Sequence, residues 1–167
     1  MKIIFLDIDG VLNDSEYFKS NHEGVKQMYR DRKYNSDNIE LNVLLEMMNI
    51  DLKKVTILKE VTDITGTKII ITSSIKKKKH YQYIETKLIE LGLPIIGITN
   101  DEIYDRGTGI KHYLLEHEVS EYVILDDSVF DDYDEELLKH LVRTDFFMGG
   151  LKEKHKDILV RKLRKKH

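Results

Sequence analysis

Apolar residues fall along this chain in short blocks that alternate between two periods. Residues 3–6, 69–71, 95–98 and 122–125 are nearly continuous apolar runs, which suit strands buried on both faces of a parallel sheet. Between them the apolar spacing shifts to three and four. Leu41, Leu44, Leu45 and Met48 predict one amphipathic helix. A second is predicted from an Asp51 N-cap to about Thr65, with Leu52, Val55, Leu58 and Val61 inward and Gly66 as terminator. Residues 75–91 predict a third, with Tyr81, Ile84, Leu88 and Leu91 on one stripe, stopped by Gly92 and Pro94. Further helices are predicted after Arg106 (Ile110, Tyr113 and Leu114 toward the core), around Leu137 and Leu138, and over residues 152–165 (Ile158, Leu159 and Leu163 inward). Residues 140–144 predict a fifth strand. The stretch from Asp14 through Asn38 mixes aromatic and charged residues, Tyr34 among them, without a clean period. Residues 14–50 follow the first strand directly, so they form either a flap or small cap over its end or an inert surface excursion.

The candidate chemistry sits at the ends of the strands. The first apolar run stops at Asp7, and Asp9 follows one side-chain period later, so an extended backbone would point both carboxylates the same way. Gly10 then lets the chain leave sharply. In open α/β sheets ligands bind outside the carboxyl ends of the strands. Two carboxylates there repel each other, and a divalent cation relieves that; the plain alternative is a polar turn. The 122–125 run repeats the pattern and ends in Asp126 and Asp127. The 69–71 run ends in Thr72, Ser73 and Ser74, whose hydroxyls can donate to phosphate oxygens, although polar residues also simply end strands. Lys76 to Lys79 open the third helix, where cations oppose the macrodipole. A phosphate-rich ligand arriving there would explain them; a solvated face would too. Arg106 and Lys111 are both candidates to hold phosphate, Arg by a bidentate fork and Lys as a point charge. The seven histidines are scattered and read as surface or packing residues.

Composition narrows the classes. With 167 residues the chain is expected to be one domain, residues 1–167, long enough to bury a real core. A formal net charge of −3 gives no global pull toward nucleic acid or anionic membrane. The absence of cysteine excludes disulfides, thiolate metal sites and cysteine nucleophiles. No apolar run reaches membrane-spanning length, and no signal peptide or Gly-rich phosphate loop is evident, so a cytoplasmic protein with no membrane partner is expected.

Asp7-Ile-Asp9-Gly-Val-Leu resembles the first motif of the haloacid dehalogenase (HAD) superfamily, Ile-Ile-Ile-Thr-Ser-Ser its second, and Leu125-Asp-Asp-Ser its fourth. More narrowly, the chain resembles the HAD domains of Swiss Army Knife RNA repair proteins, through Thr65-Gly-Thr-Lys-Ile-Ile-Ile-Thr-Ser-Ser, Arg106-Gly-x-x-Ile, Tyr-Val-Ile-Leu-Asp-Asp and Val142-Arg-Thr-Asp. The likeness covers nearly everything except residues 14–50. It implies a Rossmann-like α/β fold, a three-layer α/β/α sandwich whose five parallel strands run in the order 5-4-1-2-3. It implies a phosphatase in which Asp7 is the nucleophile, forming an aspartyl-phosphate, and Asp9 protonates the leaving group and then activates water. Mg²⁺ would be held by Asp7, the backbone carbonyl of Asp9 and Asp126, with Asp127 beside them. Ser73, with Thr72 as alternative, would bind phosphoryl oxygens, and Arg106 or Lys111 would be the third-motif cation. A phosphorylated small molecule or a nucleic-acid end is the implied substrate. Two other readings are a non-catalytic accessory module on the same fold and a receiver-type phospho-acceptor. The intact Asp7/Asp9 pair argues against the first. The second needs an Asp at the end of the third strand, where this chain has Thr99-Asn100.

Overall fold

The computed structural model describes residues 1–32, 38–100 and 103–164. Strand β1 (Lys2–Leu6) lies at the centre of a five-stranded parallel sheet, between β2 (Lys68–Ile71) and β4 (Glu121–Asp126). The edges are β3 (Ile95–Ile98) and β5 (Leu141–Arg143), giving the order β3-β2-β1-β4-β5 that the resemblance implied. Leu6 pairs with Ile71 on one side and Leu125 on the other, so the three central strands end level. The ladder then runs one bond further: Asp7 N–H donates to Leu125, Thr72 N–H to Leu6, and Thr144 N–H to Asp126. These bonds fix the polar residues just past each strand along one edge.

Alternation along the strands sends side chains to two faces. Ile4, Leu6, Ile69 and Ile71 pack against α3 (Leu52–Thr65), α4 (Tyr81–Glu90) and α7 (Glu153–Leu163). Ile3, Phe5, Ile70 and Ile124 face α5 (Arg106–Glu116) and α6 (Glu135–His140), where Ile110 and Leu137 are buried. The result is the expected three-layer α/β/α sandwich. Each of these strand residues is fully buried, and burying one such side chain is worth about 1.5–3 kcal/mol.

Several expectations are corrected in detail. Leu52, Leu91 and Leu44 are 57%, 37% and 41% exposed rather than inward. All three line one apolar groove of about 840 Å³, with Ile39, Met47 and Tyr83, at the α2 and α4 flank. Leu138 is likewise exposed, while Leu137 supplies the core contact of α6. The helix expected over 75–91 is split into a 3-10 turn, Ser74–Lys77, and α4. Lys78 has extended backbone between them, which interrupts the helical ladder. The fifth strand is shorter than expected, and α7 begins at Glu153; residue 165, its expected end, lies outside the described residues.

The unpatterned stretch contains α1 (Ser15–Arg32), followed by α2 (Ile39–Met48). No described position of α1 is fully buried, so no apolar period exists to be read. Its start is set by Asp14, whose carboxylate accepts from the Glu16 and Tyr17 N–H groups at 2.9 and 3.0 Å. Tyr17 OH donates to Ile50 O and Asn21 Nδ2 to Met48 O, binding α1 to the end of α2. Tyr34 lies outside the described residues.

Candidate active site

Three carboxylates meet where β1 and β4 end. One oxygen each from Asp7, Asp126 and Asp127 lies within 4.8 Å of the others. Asp126 is fully buried and Asp7 is 7% exposed. Arg106, the first residue of α5, reaches into the group from the side. Its Nη1 stands 2.9 Å from Asp126 Oδ2 and 3.3 Å from Asp7 Oδ1. The guanidinium also lies over the Phe130 ring, 4.2 Å from its centroid. Tyr133 OH donates to Asp126 Oδ2 at 3.1 Å, and the Ser128 N–H donates to Asp126 Oδ1 at 3.0 Å.

The electrostatics follow from this crowding. Burial, reinforced by Asp126 and opposed by Arg106, pushes the Asp7 carboxyl up from 3.8 to about 7. Asp127 is raised as well, by burial first and Asp126 among the further causes. Burial alone would lower Arg106, but Asp7 and Asp126 outweigh it and hold the guanidinium above its ordinary value. Burial and Asp126 together keep the Tyr133 phenol protonated far above its usual range. One guanidinium thus pairs with two carboxylates, Asp7 and Asp126, of a group of three. An all-oxygen donor set with surplus negative charge fits a hard divalent cation such as Mg²⁺.

Asp9 stands differently from Asp7. The strand pairing stops at Leu6, and the Ile8 carbonyl accepts from both Val11 and Leu12, so the chain turns before extended backbone can align the two carboxylates. Asp9 is exposed and sits outside the three-carboxylate group. Asn13 holds it: Nδ2 donates to Asp9 Oδ1 at 3.0 Å, while Asn13 Oδ1 accepts from Gly10 N–H at 2.8 Å. Gly10 has φ +80°, and a Cβ there would lie 2.0 Å from Asp127 Oδ2. Only glycine fits this approach of the turn to the second acidic pair.

The second-motif hydroxyls also separate. Ser73 Oγ accepts locally from the Ile75 N–H at 3.4 Å. Thr72 Oγ1 is buried with no hydrogen-bond partner among the described residues. Lys76 Nζ donates to Thr72 O at 2.9 Å and Thr99 Oγ1 at 2.8 Å, tying the ends of β2 and β3 together. The rest of the lysine cluster disperses: Lys78 pairs with Glu46, and Lys77 borders a groove beside Arg106. Lys111 is not brought to the carboxylates; it lies one and a half turns along α5 and pairs with Asp134 at the surface. Sequence reasoning missed Asn13, Phe130 and Tyr133, because a lone Asn or aromatic has no distinguishing spacing; it read Lys76 as one of a cluster facing a phosphate-rich ligand or solvent, whereas the fold ties it to Thr72 and Thr99.

The family model for the HAD domain in Swiss Army Knife RNA repair proteins matches residues 3–155. No curated protein and no solved structure matches the chain. Among the described residues no helix is long and apolar enough to cross a membrane. With the sheet order, the acidic strand ends and a match over most of its length in agreement, the chain belongs to the family of HAD domains found in Swiss Army Knife RNA repair proteins.

Proposed function

We propose that this domain is a Mg²⁺-dependent phosphomonoesterase that works through an aspartyl-phosphate on Asp7. Membership in the family carries hydrolase-type chemistry in an RNA-repair setting; the phosphatase reading rests on how Asp7 is held. Its carboxylate, buried just past the end of β1, lies 3.3 Å from the Arg106 guanidinium and within 4.8 Å of an oxygen of each of Asp126 and Asp127. Asp7, Asp126 and Asp127, with the Asp9 carbonyl, would hold Mg²⁺, which when bound offsets the charge of the carboxylates and of the substrate phosphate.

An Asp7 oxygen attacks phosphorus, and the bond from phosphorus to the leaving oxygen breaks. Asp9, exposed on its turn, gives that oxygen a proton. Asp9 then takes a proton from water, whose oxygen attacks phosphorus and releases Asp7 with inorganic phosphate. Arg106 steadies the equatorial oxygens, and the unpartnered Thr72 hydroxyl donates to one of them. Ser73 Oγ accepts from the Ile75 N–H, which holds the hydroxyl to its own turn but leaves its proton, and it is the second candidate for that bond. Lys111 has no part in this scheme.

The test is turnover of a panel of nucleotides, phosphorylated oligonucleotide ends, sugar phosphates and an aryl phosphate, with Mg²⁺ and with chelator. Phosphate release with Mg²⁺, lost in Asp126→Ala, is expected. Phosphate release that persists in chelator or in that variant would overturn the proposal.

A further inference from the structure

Two clefts flank the carboxylate group, and their charges differ in sign. The groove beside Arg106, about 510 Å³, carries Lys77 but also Asp105, Asp131 and Asp132. Three carboxylates against two cations would repel a polyanion. The cleft on the other flank, about 310 Å³, carries Arg143, Lys152 and Lys154 against one carboxylate, Asp145. Asp145 accepts from the Phe147 N–H at 2.8 Å and keeps its charge, so the cleft stands at three cations to one carboxylate.

Two cations of this second cleft, Lys152 and Lys154, have no local explanation. Among the described residues no carboxylate pairs with Lys152 or Lys154. Both stand at the start of α7, where positive charge opposes the helix dipole. They also act on their neighbour: His155, in the cleft wall, is held below its ordinary value by burial and then by Lys154 and Lys152. Sites that concentrate positive charge at a cost to local stability are candidates for binding anions.

The cleft adjoins the turn that follows β1 and the end of β4. Arg143 Nε donates to the Asp127 carbonyl at 3.1 Å, and Thr144 Oγ1 to the Gly10 carbonyl at 2.6 Å. The cleft therefore abuts the turn that carries Asp9. A proton donor must face the leaving oxygen, so the body of the leaving group lies on Asp9's side. On the phosphatase reading above, we propose that Arg143, Lys152 and Lys154 bind the phosphodiester next to the reacting terminal phosphate of a nucleic-acid strand. Arg143 supplies a planar fork and the lysines point charges. The strand leaves the site along β5 and α7, away from Lys77.

The test is binding of a labelled single-stranded RNA oligonucleotide to the full chain, followed by fluorescence anisotropy across a salt series. The cleft variant is Lys152→Gln with Lys154→Gln. The control is Lys53→Gln with Lys139→Gln, the same charge change on exposed positions elsewhere. Each phosphate contact contributes about 0.7 to the salt slope for single strands. The cleft variant should lose about 1.4 from that slope and the control nothing, with matched melting curves showing that both fold. Equal slopes in the two variants, or a wild type that fails to bind, would overturn the cleft. Aryl phosphate turnover by the wild type reads the phosphatase separately. No turnover with a cleft-dependent slope overturns the phosphatase and keeps the cleft as a strand-binding site; normal turnover with an unchanged slope does the reverse.

Discussion

Removing the charge of the nucleophile should make the metal-free protein more stable. Asp7 is buried beside Asp126, and its carboxyl is raised from 3.8 to about 7. A raised carboxyl binds its proton more tightly in the folded state, so ionising it opposes folding. The penalty is absent below about pH 4 and grows as pH rises toward 7. At 1.36 kcal/mol per pH unit it reaches about 4 kcal/mol above pH 7. In a chain of this length 1 kcal/mol moves the thermal midpoint by roughly 2–4 °C. Asp7→Asn keeps the shape and removes the ionisation. In chelator it should match the wild type at pH 4 and melt roughly 8–16 °C higher at pH 8. Mg²⁺ should raise the wild type and close most of that gap, because a cation bound to the folded state offsets the carboxylate charge. Differential scanning calorimetry at four pH values, with chelator and with Mg²⁺, measures it. A gap independent of pH, or an Asp7→Asn protein less stable at pH 8, would refute the electrostatic reasoning.

Three further outcomes follow from particular contacts. Thr72→Val keeps the shape and removes a buried hydroxyl that has no partner, so it should leave the melting point unchanged or higher. Its kcat/KM should fall roughly 10–150-fold, as expected for one charge-assisted hydrogen bond; Ser73→Ala should cost less, and the reverse order in steady-state kinetics would reassign the hydroxyl. Lys54 is 7% exposed, with Nζ 2.9 Å from Asp14 and 2.7 Å from Gly149 O, so Lys54→Met should lose about 3–5 kcal/mol in denaturant unfolding. A loss under about 1 kcal/mol would show that the clasp between α1, α3 and the Gly149 turn contributes little. Asp9→Asn should slow an alkyl phosphate by about 10²–10⁴-fold and slow phosphoenzyme formation from p-nitrophenyl phosphate much less, since that leaving group departs without a proton; equal losses in single-turnover kinetics would remove Asp9 as the acid.

What was legible in the sequence was whatever repetition or burial wrote into it. The apolar runs ending in Asp7 and in Asp126-Asp127 marked the central strands, and the sheet brings those ends together. Asp51 and Gly66 gave the bounds of α3 because capping is local chemistry. The helix α1 was illegible because none of its described positions is fully buried, so tertiary and capping contacts rather than pattern define it. Leu44, Leu52 and Leu91 carried helical spacing but line a groove, since periodicity cannot tell a core face from an apolar surface. Arg106 and Lys111 share one helix and one charge. What separates them is Asp134, which takes Lys111, and the Phe130 ring, which supports Arg106; both come from chain far removed in sequence.

The most direct test of the proposed chemistry is the location of the phosphoryl group during turnover. Asp9→Asn should trap it, because hydrolysis of the intermediate needs Asp9 as base. The variant would be mixed with p-nitrophenyl phosphate and Mg²⁺, quenched in acid and mapped by peptide mass spectrometry. The account predicts one phosphoryl group per chain on the peptide containing Asp7, and none when Asp7→Asn is added. A label on another residue, or undiminished turnover in Asp7→Asn alone, would contradict it.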